Sequence, residues 1–204
     1  MPSAALKPPF ILASASPRRR ELLAQISLNP DLIEAADLDE TPARGELPEP
    51  HALRLAEAKA RAVGVRHPGA FILGADTVVA CGRRILPKAL DRETAQQCLQ
   101  LLSGRRHRVY GGIALLCPDG HVRRRVAVSV VAFKRLQARE LEDYLAIGEW
   151  HGKAGGYAIQ GLAARFVRFL SGSYSNVVGL PLYETTQLLA GQGYAPAVRI
   201  RVEP

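Results

Sequence analysis

The sequence lacks the features that mark secreted, membrane-spanning or metal-clustered proteins. Its three cysteines, Cys81, Cys98 and Cys117, are odd in number and too far apart for a metal knuckle. We interpret them as reduced, buried thiols, which are typical of a cytosolic protein. No apolar run reaches the length of a membrane span, and the first residues, MPSAALKPP, have no signal-peptide core. The expected protein is therefore soluble and cytoplasmic, with no membrane partner.

Internal repeats and low-complexity tracts are also absent. Hydrophobic residues make up 48% and charged residues 23% of the 204 positions, which is ordinary for a globular protein. This length suffices for a real core, and we expect residues 1–204 to form a single domain. The formal net charge of +8 favours an anionic partner. The arginines at 123–125 have no interleaved aromatic residues, which argues against nucleic acid as that partner.

The stretch 10–23, FILASASPRRRELL, carries the first functional signal. An apolar run typical of a buried strand leads through serines into a helical pattern. Ser16 is a suitable N-cap, and Pro17 suits the first helical position. Backbone N–H groups, hydroxyls and guanidinium groups would meet at the positive end of the helix dipole. The stretch predicts a phosphate site without P-loop spacing; the alternative is a capped helix with a basic surface.

Carboxylates and lysines in three other stretches could join this site. The acidic loop 37–40, DLDE, could hold a divalent cation that bridges carboxylate and phosphate, or could be solvated. Asp76 interrupts the apolar run 70–81 and would be costly to bury without partners. At a strand end facing a cleft, it would be a candidate metal ligand or general base. Lys59, on a helix predicted over 51–65, could point into that cleft or lie along the apolar face.

The rest of the chain alternates between helical and strand patterns. A turn at Gly82-Arg83-Arg84 would bring Lys88 towards the same region. The glycine-rich stretch 149–161, EWHGKAGGYAIQG, predicts a functional loop. His107, Tyr157 and Tyr174 are expected to be packed structural residues. We also predict helices at 91–102, 138–147 and around 182–189, a hairpin formed by 108–117 and 122–133, and strands at 31–36, 165–170 and 197–202.

Six stretches together resemble the Maf family of nucleoside triphosphate pyrophosphatases. They occur in the family's order and cover nearly the whole chain: LASASPRR (12–19), LAEAKA (55–60), GADTVV (74–79), LSGRRH (102–107), GKAGGYAIQG (152–161) and GSYSNVVGLPL (172–182). The resemblance implies a mixed α/β fold of the Maf/ITPase-like type. Such a fold has an elongated twisted sheet, flanking helices and two lobes around a nucleotide cleft.

The resemblance also implies a reaction and roles for particular residues. A nucleoside triphosphate would be hydrolysed between its α- and β-phosphates, giving the monophosphate and pyrophosphate. Asp76 would be the general base that activates water, and Glu40 and Asp76 would lie near Mg²⁺ or Mn²⁺. Five residues match the family's phosphate-contacting positions: Ser14, Arg18, Arg19, Lys59 and Lys88.

Substrate choice follows from the same resemblance. Arg18, Thr77 and Gln160 match the branch of the family that acts on dTTP and UTP, and a glutamine amide can both donate to and accept from a pyrimidine imide edge. Gly152 replaces the family's usual Asp, and Pro87-Lys88-Ala89 replaces Gly-Lys-Pro, which leaves the aim of Lys88 open. The alternatives are a 7-methyl-GTP pyrophosphatase and a nucleotide- or nucleic-acid-binding regulator of cell division. A homodimer is an expectation at the level of the family.

Overall fold

The computed structural model describes residues 7–194, so the strand predicted at 197–202 lies outside the described residues. Helices and strands are interspersed along the chain. In order, the elements are β1 (Phe10–Ala13), α1 (Pro17–Gln25), β2 (Leu32–Ile33), α2 (Pro48–Gly64), β3 (Phe71–Cys81), β4 (Arg84–Leu86), β5 (Lys88–Ala89), α3 (Arg92–Leu102), β6 (Arg106–Leu116), β7 (Val122–Phe133), α4 (Ala138–Ile147), β8 (Lys153–Ala154), a 3₁₀ helix (Leu162–Phe166), β9 (Val167–Ser171), α5 (Tyr174–Val178) and α6 (Leu182–Ala190).

Within residues 7–194, seven strands form one mixed sheet in the order β2-β1-β3-β6-β7-β9, with β4 paired to β3. β1 runs parallel to both of its neighbours, β2 and β3. The pairings of β3 with β6, of β6 with β7 and of β7 with β9 are antiparallel. A separate small sheet joins β5 and β8. The structure thus confirms the expected mixed α/β class.

Apolar clusters at the two ends of the long strands divide the molecule into two lobes. In the first lobe, alternate residues of β3 face opposite sides of the sheet, because side chains alternate along a strand. Leu73 packs towards α1 and α6, and Ile72 packs towards α2. In the second lobe, Val79 of the same strand joins a cluster with α3 and α4 that includes Phe133 and Tyr144. A single strand therefore supplies the core of both lobes.

A crevice opens on one edge of β3 between these clusters. β1 pairs with β3 only as far as Ala13 opposite Gly74, and β4 pairs with β3 only from Val79 onward. The interval 75–78 lacks a sheet neighbour on that edge, at the point where β1 leaves the sheet and enters α1. Parallel strands commonly place ligands beyond their carboxyl ends in this way. The fold therefore positions a site before any functional side chain is considered.

Helix α2 lies directly on the sheet because two glycines leave room for its backbone. A Cβ at Gly74 would lie 2.1 Å from the carbonyl oxygen of Ala56, and one at Gly112 would lie 2.3 Å from that of Ala52. Real Cβ atoms essentially never come closer than 3.0 Å, so neither position accepts a side chain without movement of α2. This close packing sets the height of Lys59 above β3.

Several predicted elements are confirmed and others differ in extent. The 91–102 and 138–147 helices end as expected, the latter at Gly148 in the left-handed region with φ 78°. The strand predicted over 31–36 shrinks to two residues, and 165–170 begins as a 3₁₀ helix. The helix predicted from 51 starts at Pro48, since proline is accepted in a first turn.

Candidate active site

All of the predicted site residues line one cavity of about 340 Å³ at the crevice. The cavity is lined by the start of α1, the edge of β3, part of the glycine-rich loop 149–161 and the end of α5. The loop before α2 contributes Glu40. The residues brought together are Ser14, Arg18, Arg19, Glu40, Lys59, Asp76, Thr77, Lys88 and Gln160. Predicted site residues up to 146 positions apart in the chain, Ser14 and Gln160, thus share one space.

Asp76 differs in one respect from its predicted position. It lies in the middle of the eleven-residue strand β3, opposite Gly112 of β6, and not at the end of its own strand. The strand that ends here is β1. The carboxylate nevertheless faces the cavity, and it is almost fully buried, with 4% of its surface exposed. The expectation of a cleft-facing carboxylate is therefore confirmed, although its neighbour supplies the strand end.

A series of ion pairs extends from the buried Asp76 carboxylate to Lys88. Lys59 Nζ lies 2.6 Å from Asp76 Oδ1 and 2.6 Å from Glu40 Oε1. The second oxygen of Glu40 forms an ion pair with Lys88. Lys59 therefore points into the cleft, and Lys88 reaches the same cluster in spite of the changed residues around it. Because a buried charge is stable only when paired, the buried Lys59 and Asp76 depend on each other, whereas Lys88 is exposed.

The lysines hold Glu40 in its charged form. Burial by itself would raise the pKa of Glu40, but hydrogen bonds and charge from Lys59 and Lys88 outweigh it and lower the pKa from 4.5 to about 2. The Glu40 carboxylate is therefore ionised at neutral pH. It is fixed at the cavity wall, on the loop that precedes α2, and neutralises part of the charge of both lysines.

Arg19 joins three parts of the cavity wall. Its Nε donates to the carbonyl oxygen of Gly179 at 2.9 Å, its Nη1 to Ser14 Oγ at 2.9 Å and its Nη2 to Thr77 Oγ1 at 3.2 Å. Burial lowers the pKa of Arg19, and the negative charge of Asp76 opposes that shift. The guanidinium group thus ties the start of α1 to β3 and to the residue that follows α5.

The hydroxyl of Ser14 is prepared to donate a hydrogen bond. Its oxygen accepts from Arg19 Nη1 and from the backbone N–H of Ser16 at 3.2 Å. With both lone pairs engaged, the remaining function of this hydroxyl is to donate its proton to an acceptor. Thr77 differs, because its hydroxyl accepts from Arg19 and donates to the Gly179 carbonyl oxygen at 3.3 Å.

The sequence prediction for Ser16 is only half right. Ser16 occupies the N-cap position and Pro17 the first helical position, but the Ser16 side chain makes no capping hydrogen bond. The backbone N–H of Ser16 instead points back to Ser14. The first turn of α1 lines the cavity, but Pro17 has no N–H group and the Arg19 N–H donates to the Ser16 carbonyl oxygen at 3.2 Å. The expected anion site therefore depends on the side chains of Ser14, Arg18 and Arg19 as well as on the start of the helix.

The glycine-rich loop contributes to the cavity both Tyr157, which pairs with the buried His107, and a lysine that the sequence analysis did not assign. His107 Nε2 and the Tyr157 hydroxyl are 2.8 Å apart, and burial lowers the pKa of His107 to about 4 and raises that of Tyr157. Both are packed structural residues, as expected, whereas Tyr174 is 50% exposed, so its prediction as a packed residue is wrong. Lys153 lines the cavity and donates from Nζ to the carbonyl oxygen of His151 at 3.0 Å. Its position in the glycine-rich loop was the only sequence signal for it.

The cavity offers two carboxylates to a cation, Glu40 and Asp76. Within residues 7–194, no group of three or more histidine, cysteine, aspartate or glutamate side chains is placed to hold a metal ion. Lys59 lies within hydrogen-bond distance of both carboxylates, so the two can share one positive charge. Two carboxylates completed by phosphate oxygens and water are a donor set that suits Mg²⁺.

A buried carboxylate among arginines and lysines, beside a helix start and at the end of a parallel strand, defines a site for a phosphate-bearing ligand. The chain matches the family described as Maf-like protein over residues 9–192. It belongs to the Maf family. No helix within the described range 7–194 is both long and apolar enough to cross a membrane.

The chain is similar to curated relatives and, more distantly, to a solved structure. The chain is 68% identical to the dTTP/UTP pyrophosphatase of Paramagnetospirillum magneticum, with 92% of this chain and 98% of that protein covered. It is 67% identical to the dTTP/UTP pyrophosphatase of Rhodospirillum rubrum, with 92% and 90% covered. A solved nucleoside-triphosphatase / dITP/XTP pyrophosphatase from Mycobacterium abscessus is 19% identical, with a TM-score of 0.45 and coverage of 95% and 98%.

Proposed function

We propose that this chain hydrolyses dTTP and UTP to the monophosphate and pyrophosphate. The observation that carries this proposal is the buried Asp76 carboxylate, held by Lys59 at 2.6 Å in a cavity with arginines and lysines on its walls. The choice of nucleotide is supported by relatives at 58–68% identity that are named dTTP/UTP pyrophosphatase. The enzyme would be a hydrolase acting on the α–β phosphoanhydride.

Asp76 is the proton acceptor in the proposed reaction. Its carboxylate takes a proton from a water molecule, whose oxygen attacks the α-phosphorus. The bond from that phosphorus to the oxygen bridging the β-phosphate breaks, and pyrophosphate leaves. A triphosphate repels a hydroxide-like nucleophile, so the reaction needs cationic groups around the phosphate oxygens and a carboxylate in a fixed orientation. Lys59 supplies that orientation through its contact with Oδ1.

Five side chains would bind the phosphates: Ser14, Arg18, Arg19, Lys59 and Lys88. The Ser14 hydroxyl is left as a donor by its two acceptor contacts. A guanidinium group has five N–H donors, and three of those of Arg19 are used within the protein, which leaves two for a ligand. Arg18 uses Nε to reach the carbonyl oxygen of Val178 at 3.3 Å and lines the same cavity.

Glu40 and Asp76 would hold a divalent cation, Mg²⁺ or Mn²⁺, together with the substrate. When bound, such a cation neutralises charge on the phosphate oxygens. The protein's part is to present the two carboxylates at one place, which the shared contact with Lys59 achieves. Glu40 is suited to this role because its lowered pKa, about 2, keeps it charged.

Arg18, Thr77 and Gln160 would determine the base. Gln160 is exposed and lines the cavity, where its amide can pair with the imide edge of uracil or thymine. Thr77 has its hydroxyl engaged by Arg19 and Gly179, so its contribution would be to fix the wall between the base and the phosphates. We also propose that residues 1–204 act as one Maf-like domain in the cytoplasm, and as a homodimer, which light scattering would test.

The test is pyrophosphate release from dTTP, UTP, CTP, GTP and 7-methyl-GTP with Mg²⁺ or Mn²⁺. Asp76→Asn should abolish turnover, while Asp119→Asn, the same change in an exposed hairpin turn, should leave it intact. Preferential turnover of dTTP and UTP is the expected result. Turnover confined to 7-methyl-GTP would overturn the assigned base, and no turnover by folded protein would overturn the reaction.

A further inference from the structure

We propose that Lys153 is a further substrate-contacting residue, whose ammonium group binds a phosphate oxygen of the nucleotide. This inference rests on the function proposed above and adds a residue from the glycine-rich loop 149–161 to the set that would bind the substrate. Three observations carry it: the position of the side chain, the pairing of the other lysines, and the neighbouring positive charge of Arg18.

The backbone fixes Lys153 at the cavity. β8 pairs with β5, placing Lys153 opposite Ala89 and its neighbour Ala154 opposite Lys88. Two further backbone bonds close the ribbon, from Gly152 N to the Ala89 oxygen at 2.7 Å and from Gly155 N to the Pro87 oxygen at 3.0 Å. The two lysine-bearing strands thus form one unit, and both lysines line the same cavity.

The absence of a carboxylate partner within residues 7–194 distinguishes Lys153 from the other two cavity lysines. Lys59 and Lys88 each form an ion pair with Glu40, and Lys59 with Asp76 as well. Lys153 forms no ion pair with any residue between 7 and 194; its ammonium group donates only to the His151 carbonyl oxygen. An ammonium group has three N–H donors, so Lys153 can bind a ligand without giving up this contact.

Burial and the nearby positive charge of Arg18 disfavour the charged form of Lys153, and a bound anion would offset this effect. Burial lowers the pKa of Lys153, and the positive charge of Arg18 lowers it further, with a smaller opposing effect from Glu149. Cavity-lining cations number five, namely Arg18, Arg19, Lys59, Lys88 and Lys153, against the two carboxylates Glu40 and Asp76. The excess on the Arg18–Lys153 side matches the charge of a phosphate chain.

The experiment compares Lys153→Met with Lys153→Arg and with the control Lys134→Met, which removes a surface lysine paired with Glu140. Inhibition of dTTP turnover is measured with inorganic pyrophosphate, dTMP and thymidine as separate probes. Loss of a charge-assisted contact should weaken at least one phosphate-bearing inhibitor by about 10- to 100-fold in Lys153→Met. Thymidine inhibition should not change, and Lys153→Arg should retain most of the affinity.

The dependence of inhibition on ionic strength is a second measurement, and it would not change if Lys153 had only a structural role. The difference between wild type and Lys153→Met should shrink as salt rises, since the contact is between charges. Unchanged inhibition by both phosphate probes, or an equal loss for thymidine, would overturn the inference. If Lys153→Met does not fold, Lys153→Gln repeats the comparison. Failure of the unaltered protein to turn over dTTP would refute the proposed function, whereas normal turnover with unchanged Lys153→Met constants refutes only this role.

Discussion

Substitution of Gly74 by alanine should damage the active site without touching a charged group. Gly74 lies in β3 beneath α2, and its added Cβ would be 2.1 Å from the Ala56 carbonyl oxygen and 2.8 Å from the Ala60 backbone nitrogen. Both atoms belong to the helix backbone, so no side-chain rotation can relieve the contact. Helix α2 must therefore move away from the sheet, and it carries Lys59 with it.

The size of the effect follows from these distances. Reaching the 3.0 Å minimum for a Cβ requires α2 to shift by about 1 Å. Overpacking of this kind costs typically about 1–3 kcal/mol of stability. A displacement of about 1 Å near reacting groups can cost about 100-fold in rate, because catalysis depends on alignment. We expect kcat/KM for dTTP to fall by about that factor in Gly74→Ala, while the protein stays folded.

Steady-state kinetics and urea unfolding should be measured side by side, with Gly64→Ala as the matched control. Gly64 belongs to α2, and its added Cβ would be 2.3 Å from Leu116 Cδ2, the end of a flexible side chain that can turn aside. The control should keep most of its activity. Wild-type kcat/KM in Gly74→Ala, or an equal loss in both variants, would refute the claim that α2 sets the position of Lys59.

Three other perturbations test the charges and the packing. Lys59→Met leaves the buried Asp76 unpaired and should lower the free energy of unfolding in urea by about 3–5 kcal/mol. Adding Asp76→Asn should recover stability but not turnover. A wild-type unfolding midpoint in the single variant would contradict this. Glu40 has a pKa of about 2 when folded, against 4.5 for an unperturbed carboxyl, so its stabilising effect is complete above pH 4.5 and is lost as pH falls towards 2. Thermal unfolding scans at decreasing pH should therefore show a smaller fall in Tm for Glu40→Gln than for the wild-type protein. An equal fall in both proteins would contradict this. Asn176→Ala removes the donor to the buried Val109 carbonyl oxygen at 3.1 Å and should lower the free energy of unfolding by about 1–3 kcal/mol, with an unchanged Tm as the contrary result.

Local chemistry made much of this fold predictable. Asp91 accepts from the backbone N–H of Thr94 as an N-cap should, and Gly148 ends α4 in the left-handed region where glycine is favoured. A turn was expected at Gly82-Arg83-Arg84; the structure has a two-residue turn at Gly82-Arg83, where glycine accepts a positive φ of 62°, and Arg84 already belongs to β4. Every residue that the sequence analysis predicted for the site lines the cavity, although the catalytic and binding roles of these residues stay proposals.

Features that depend on more than one segment could not be predicted in the same way. The crevice beside Asp76 exists because β1 ends and β4 begins at particular points along β3, and no local pattern encodes that interval. The Ser14 hydroxyl accepts from the backbone N–H of Ser16, a contact that no local pattern indicates. The Ser16 side chain makes no capping hydrogen bond, although serine is favoured at this position. Lys153 reaches the cavity through the pairing of β8 with β5, two-residue strands too short to leave a periodic signal.

The unbroken course of β3 has a mechanical consequence. Asp76 belongs to a strand that is anchored in apolar clusters on both sides and paired with β6 along nine consecutive positions, 72–80. Rotating the lobes apart at the cleft would have to break this ladder at its centre, so the two lobes cannot hinge there as separate bodies. Glu40 and Lys153, by contrast, are carried by a loop and by a two-residue strand. The strand that carries Asp76 is therefore the most rigidly held part of the site.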